Sequence, residues 1–338
     1  MRRPRPGVSS RSIARSSLSR RPRSRDFPLS SPLAAILAVC ACVCASACAI
    51  SLGGCGSAEP REESVSGKLD VVAAENFWGS IALQLGGAKV SVRSIIVNPN
   101  TDPHSYEPSA EDARTMAGAQ MAIVNGIGYD EWASRLLSAN PSGERTVLNV
   151  GQLLGLGPGD NPHQWYSPAH LHAVIKQIVA DYDRQLPADA GYFAERKASF
   201  ERVGLARYQA LIGQIRARYA SVPVGYSESI FQPLGEALGL KLATPYSFAK
   251  AIAEGGEVSA QDKQTVDRQA SAREIEVWVF NSQNVTPDVR RVNELARAAG
   301  IPIATVTETL SPASDSFEQW QVAQLEALEL ALHRATGR

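Results

Sequence analysis

The amino-acid sequence predicts an α/β protein of two lobes, each built on a largely parallel sheet, bridged by one long rigid helix. Three observations lead there. Short apolar runs alternate with capped helical segments from Lys68 to about Gln185, the rhythm of strand–helix units in a parallel sheet. The same alternation returns after Pro223, and between the two lies a stretch of helical composition without a strand signal. The 338 residues also exceed what one compact core usually occupies.

The first lobe opens with the apolar run Leu69 to Ala74 as a strand. A helix follows from Asn76 to about Leu85, closed by Gly86 and Gly87. Lys89 to Ile96 alternates as a strand does. Ser109 with Asp112 forms a capping box that starts a helix to about Ala119. Met121 to Val124 is a strand, Asp130 to Leu137 a helix, and Thr146 to Val150 a strand. Ser167 before Pro168 opens a helix to about Gln185.

Asp189 to Tyr219 then carries apolar residues near every third or fourth position, enough for a helix of roughly 45 Å at about 1.5 Å per residue. Gly204 and Gly213 weaken it by up to about 1 kcal/mol each, too little to end it. In the second lobe Val222 to Tyr226 is a strand, followed by a helix to Leu238 and a strand from Lys241 to Thr244. Ser259 caps a further helix, Glu274 to Phe280 is a strand, and Thr286 to Ala299 is a helix that Gly300 ends. Ile301 to Val306 and an amphipathic helix from Phe317 to about Ala335 complete the chain. The expected organisation is thus 68–186 for the first lobe, 187–220 for the linking helix and 221–338 for the second lobe.

The zero net charge hides an asymmetry. Of 34 basic and 34 acidic residues, nine arginines and one acid fall in 1–54, which leaves 25 against 33 beyond it. An acidic body with no basic surface is a poor nucleic-acid binder, and no nucleic-acid partner is expected. The Arg-rich start runs into an apolar stretch from Pro32 to Ile50 and then into Leu52-Gly53-Gly54-Cys55, the pattern of a secretory signal over 1–54. That tetrad resembles a bacterial lipobox, whose cysteine, here Cys55, becomes the lipidated first residue; the other reading is an uncleaved membrane helix. Residues 55–67 read as a flexible tether. All five cysteines lie at or before Cys55, so the exported body has neither a disulfide framework nor a thiolate metal site. Whatever it binds, it binds with nitrogen and oxygen.

Two of the five histidines stand in similar settings, Asp102-Pro103-His104 and Asn161-Pro162-His163, each a few residues before a helix start. That position is the ligand-binding edge of an open α/β sheet, and the proline stiffens the turn. His170 and His172 are two apart on a helix and point to different faces, while His333 is a solvated residue in the last turn.

The two histidine loops (the first running into Tyr106-Glu107-Pro108, the second into Gln164-Trp165), the bridging helix and the lipobox resemble the cluster of solute-binding proteins of zinc and manganese ATP-driven transporters. The resemblance covers nearly the whole chain from Lys68. It implies four metal ligands: His104, His163, Glu228 after the first strand of the second lobe, and Glu308 after a late strand, where the family typically has an aspartate. Two neutral imidazoles and two carboxylates would cancel the charge of one divalent ion. The resemblance further implies a monomeric receptor, lipid-anchored to the outer face of the cell membrane, that delivers Mn²⁺ or Zn²⁺ to a permease and its ATPase. The sulfur-free, carboxylate-containing set and the absence of a long His/Asp-rich loop favour manganese slightly, against an affinity order that favours zinc. Two other classes compete: a metal-dependent enzyme of hydrolase or non-haem iron type, and a surface adhesin. No HExxH, GxSxG or phosphate-loop motif supports the first, and no catalytic residue is assigned.

Overall fold

The structure is a computed structural model that describes residues 67–338. The signal segment, Cys55 and all of the tether except Gly67 lie outside the described residues.

The first half folds as β1 (Leu69–Glu75), α1 (Asn76–Gly86), β2 (Val90–Ile96), α2 (Ala110–Gly118), β3 (Met121–Val124), α3 (Glu131–Ala139), β4 (Thr146–Asn149), α4 (Val150–Leu154) and α5 (Pro168–Gln185). Its four strands pair in parallel in the order β2-β1-β3-β4. After the link come β5 (Pro223–Tyr226), α8 (Gln232–Ala237), β6 (Lys241–Leu242), α9 (Tyr246–Ala253), α10 (Ala260–Ser271), β7 (Val277–Asn281), α11 (Pro287–Ala298), β8 (Ile303–Val306) and α12 (Phe317–Thr336). These strands repeat the topology as β6-β5-β7-β8, again all parallel. The repetition is one of topology; no sequence repeat announces it. The capping signals at Ser109, Ser167 and Ser259 act as expected, Ser109 completing a capping box on α2; Thr286 caps α11 through its hydroxyl, and Ser316 completes a further capping box on α12.

The link is helical over most of its length but is not one uninterrupted α-helix. A 3₁₀ turn at Pro187–Asp189 leads into α6 (Ala190–Ser199), a π-helical turn at Phe200–Gly204, and α7 (Ala206–Tyr219). At Gly204 a Cβ would stand 2.9 Å from the Phe200 ring, so the glycine fits where the π turn folds Phe200 inward. The expectation that Gly204 would be too weak to end the helix weighed only its propensity and not this close approach.

One apolar cluster runs through both lobes and the link, from Val71, Phe77 and Trp165 through Phe200 and Leu211 to Val224, Val279 and Trp320, with a smaller cluster beside it in each lobe. Polar contacts stitch the same seam. Asn76 accepts from the Leu310 N–H at 3.2 Å, Ser80 from the Phe317 N–H at 2.9 Å, and Tyr166 donates to the Thr307 carbonyl at 2.8 Å. Lobes that share a close-packed core resist wide opening. Among the described residues no helix is long and apolar enough to cross a membrane.

Candidate metal centre

In both sheets the loops that carry polar side chains leave the carboxyl ends of the strands, where parallel sheets bind ligands. His104 sits on a 3₁₀ turn at Pro103–Ser105 beyond β2. Asp102 shapes this turn, its carboxylate accepting from the His104 N–H at 2.9 Å and the Ser105 hydroxyl at 2.8 Å. His163 opens the 3₁₀ turn Gln164–Tyr166 that precedes α5. Asn161 does more than shape this second turn: its Oδ1 takes the His163 N–H at 3.1 Å and faces Nδ1 of the ring at 2.9 Å. Because the Asn161 amide nitrogen donates to the Ser229 carbonyl at 2.7 Å, its Oδ1 is the acceptor. The His163 proton therefore belongs on Nδ1, and Nε2 presents a lone pair. The Asx residues of the two loops thus have a job that the sequence reading missed: they fold each turn, and one also fixes a tautomer.

Glu228 follows β5 and Glu308 follows β8. Both carboxylates are held by one amide, Asn281 at the end of β7, whose Nδ2 donates to Glu228 Oε2 at 2.9 Å and to Glu308 Oε1 at 3.0 Å. The other Glu308 oxygen accepts from the Tyr129 hydroxyl at 2.8 Å, a bond between the lobes. Tyr129 is aimed by a tight turn in which Gly126, Ile127 and Gly128 all have positive φ (70°, 59° and 78°), and Asp130 pins that turn by accepting the Asn125 and Gly126 N–H groups. The Gly-Ile-Gly-Tyr run was the signal that could have pointed to Tyr129. Nothing local to Asn281 marks it.

The structure brings all four expected residues to one place, two from each lobe. Donor atoms of His104, His163 and Glu308 lie within 4.8 Å of one another. Glu228 is not part of that set, and its Oε1 lies 3.7 Å from His163 Nε2. His163 is fully buried, Glu228 and Glu308 are nearly so, and His104 is half-buried at the open side. His170, His172 and His333 are elsewhere, the first beside Gln164 and the second beside Glu201.

Burial, reinforced by the nearby Glu308, holds the Glu228 carboxyl well above the ordinary carboxylate range. Burial raises Glu308 too, against the opposing pull of His104 and the Tyr129 hydrogen bond. Burial and the neighbouring His104 push the His163 imidazole well below its usual value, which keeps it neutral. Three ligand-type atoms converge here with no hydrogen-bond partner: His104 Nε2, His163 Nε2 and Glu228 Oε1. A buried orphan acceptor costs about 1–3 kcal/mol, and three in one place fit a site that awaits a cation. The donor set suits a divalent transition metal.

Residues 71–331 match the model of the family described as ZnuA, the periplasmic component A of a zinc-uptake complex. The chain belongs to the ZnuA family. Among curated relatives, the manganese-binding lipoprotein MntA of Halalkalibacterium halodurans is 25% identical over 201 residues, covering 56% of this chain and 65% of MntA. The iron-binding protein YfeA of Yersinia pestis is 22% identical over 262 residues, 75% of this chain and 74% of YfeA. The chain thus spans slightly less than two thirds of the length of MntA and more of YfeA. The fold is that of the periplasmic zinc binding protein TroA from Treponema pallidum, with a TM-score of 0.65 at 19% identity over 80% of this chain and 99% of TroA. These relatives are named for three different metals on one architecture, so family membership does not choose among them.

Proposed function

We propose that this protein is an extracytoplasmic solute-binding receptor that captures one divalent transition metal between its lobes and hands it to a membrane permease driven by a separate ATPase. The cargo is Mn²⁺ or Zn²⁺, and its ligands are His104, His163, Glu228 and Glu308. The observation that carries the reading is the convergence of buried, unpartnered His104 Nε2, His163 Nε2 and Glu228 Oε1 beside Glu308. Family membership supplies the transport context, and lipoprotein relatives support an anchor at Cys55 on the outer face of the membrane.

In this mechanism the metal arrives from the half-buried His104 side, where a cavity of about 380 Å³ lined by Asp102, His104, Glu254 and Glu308 opens to solvent. Water is exchanged for imidazole and carboxylate ligands, and Glu228 completes the set from beside His163. The shared core limits this to a modest closure. The receptor works as a monomer, since both halves of the site come from one chain. It performs no catalysis: four protein ligands close the coordination sphere of a tetrahedral ion.

The test is metal content and thermal shift of the purified full chain with Mn²⁺, Zn²⁺ and Fe²⁺ against a chelated control. One equivalent bound and a shift of the size expected from ligand linkage, about 2.7 kcal/mol at a hundredfold excess over Kd, supports the reading if His163→Ala abolishes both. No stoichiometric metal under any condition rejects it. A turnover rate typical of a metalloenzyme would reject it in favour of the hydrolase or non-haem iron alternative.

A further inference from the structure

We infer that Asn281 is the residue that sets how the two carboxylates bind the metal, and thereby the preference of the site between zinc and manganese. The inference rests on the metal-receptor reading above and goes beyond it by naming what decides selectivity.

The argument begins with strand order. In the second sheet β7 lies between β5 and β8, so the residue that closes β7 necessarily sits between the loops that leave β5 and β8. Those loops carry Glu228 and Glu308. Asn281 is fully buried and cannot turn freely. Its backbone N–H donates to Ser227 Oγ at 3.0 Å, and its side-chain Oδ1 accepts the Gln283 N–H at 2.9 Å. With Oδ1 committed there, Nδ2 must face the two carboxylates, and it donates one hydrogen to each.

Those two hydrogen bonds engage Glu228 Oε2 and Glu308 Oε1. Glu228 is left with Oε1 as its only unpartnered oxygen, 3.7 Å from His163 Nε2. The clamp thus favours one-oxygen binding by Glu228. Glu308 is tethered at both oxygens, by Asn281 and by Tyr129. One-oxygen carboxylates with two imidazoles make a four-coordinate site, the geometry zinc takes, whereas manganese is better served by more oxygen ligands. A neutral amide also achieves this without adding a positive charge that would repel the cation or a third negative charge that would change the balance.

Replacing the donor frees Glu228 Oε2 and Glu308 Oε1 to chelate. The experiment measures Kd for Mn²⁺ and for Zn²⁺, by chelator competition, on the full-length wild type, Asn281→Leu and Asn281→Ser. Leucine matches the volume without donating; serine offers a single donor and guards against misfolding of the first variant. X-ray absorption on the Zn²⁺-loaded wild type, which needs no variant, reads the zinc coordination number directly.

The expected result is a shift of the Mn²⁺-to-Zn²⁺ preference toward Mn²⁺ by about fivefold or more (~1 kcal/mol) in whichever variants fold, with a four-coordinate zinc in the wild type. A smaller shift, a shift toward zinc, or two-oxygen binding by both carboxylates in the wild type overturns the inference while leaving the receptor reading standing. A wild type that binds neither metal removes both.

Discussion

Glu228→Gln separates a built metal site from an ordinary buried carboxyl, because it should push stability and binding in opposite directions. In the metal-free protein Glu228 Oε1 and His163 Nε2 face each other at 3.7 Å, both buried and both without a hydrogen-bond donor. Glutamine keeps the shape. Its carbonyl oxygen can accept from Asn281 Nδ2 in place of Oε2, while its NH₂ group replaces Oε1 and donates to His163 Nε2. Where Glu228 is ionised two orphan acceptors disappear, one replaced and one satisfied; where it holds its proton, Oε1 is itself a donor and the gain vanishes. At about 1 kcal/mol or more each, the metal-free protein gains about 2 kcal/mol over the ionised form, and Tm rises by about 4 °C at roughly 2 °C per kcal/mol for a chain of this size. The same NH₂ points a positive edge at the metal position and removes one anionic ligand, so metal affinity falls by more than the 10–100-fold that an outer partner costs. Differential scanning calorimetry of chelated wild type and variant, with and without Zn²⁺, reads both effects. A variant that melts lower without metal, or that keeps the metal-induced shift, would refute the reasoning, because the orphan atoms would then have been satisfied by something other than cargo.

Three further outcomes are expected. Because Glu228 and Glu308 hold their protons above the ordinary carboxylate range, metal loading must displace protons, and affinity should rise with pH by up to about tenfold per unit per proton displaced. His163, already neutral at physiological pH, releases none. Calorimetric titrations in buffers of different ionisation enthalpy measure the count, and a pH-independent affinity would contradict it. Tyr129→Phe deletes the interlobe bond to Glu308 and should weaken binding about tenfold while leaving the fold intact, as read by chelator competition and far-UV circular dichroism. In Gly225→Ala, the new Cβ would stand 2.5 Å from Ile275 Cδ1 and 2.8 Å from Trp278 Cε3, so overpacking should cost about 1–3 kcal/mol in urea denaturation without altering the metal preference of the protein that remains folded.

Strand–helix alternation, serine and threonine caps and the Pro-His loops depend on residues close in sequence, and their physics is local. The two sheets, the capping box at Ser109, and the positions of His104 and His163 at helix entrances were therefore readable in the sequence. Glu228 and Glu308 were reached only through family resemblance, since a loop glutamate carries no local mark of burial. The link was readable as helix but not as a helix with a π turn, because what matters at Gly204 is the approach of the Phe200 ring.

By itself the sequence determined the candidate chemistry: nitrogen and oxygen as the candidate ligands, no cysteine beyond Cys55, and two stiff histidine loops on an α/β scaffold. Only the tertiary structure decided how those ligands are held. Asn281 became a clamp because parallel strand order sets β7 between β5 and β8, and Tyr129 became a partner of Glu308 because the two lobes share one core. Both consequences depend on contacts between residues far apart along the chain, where no short-range pattern can reach.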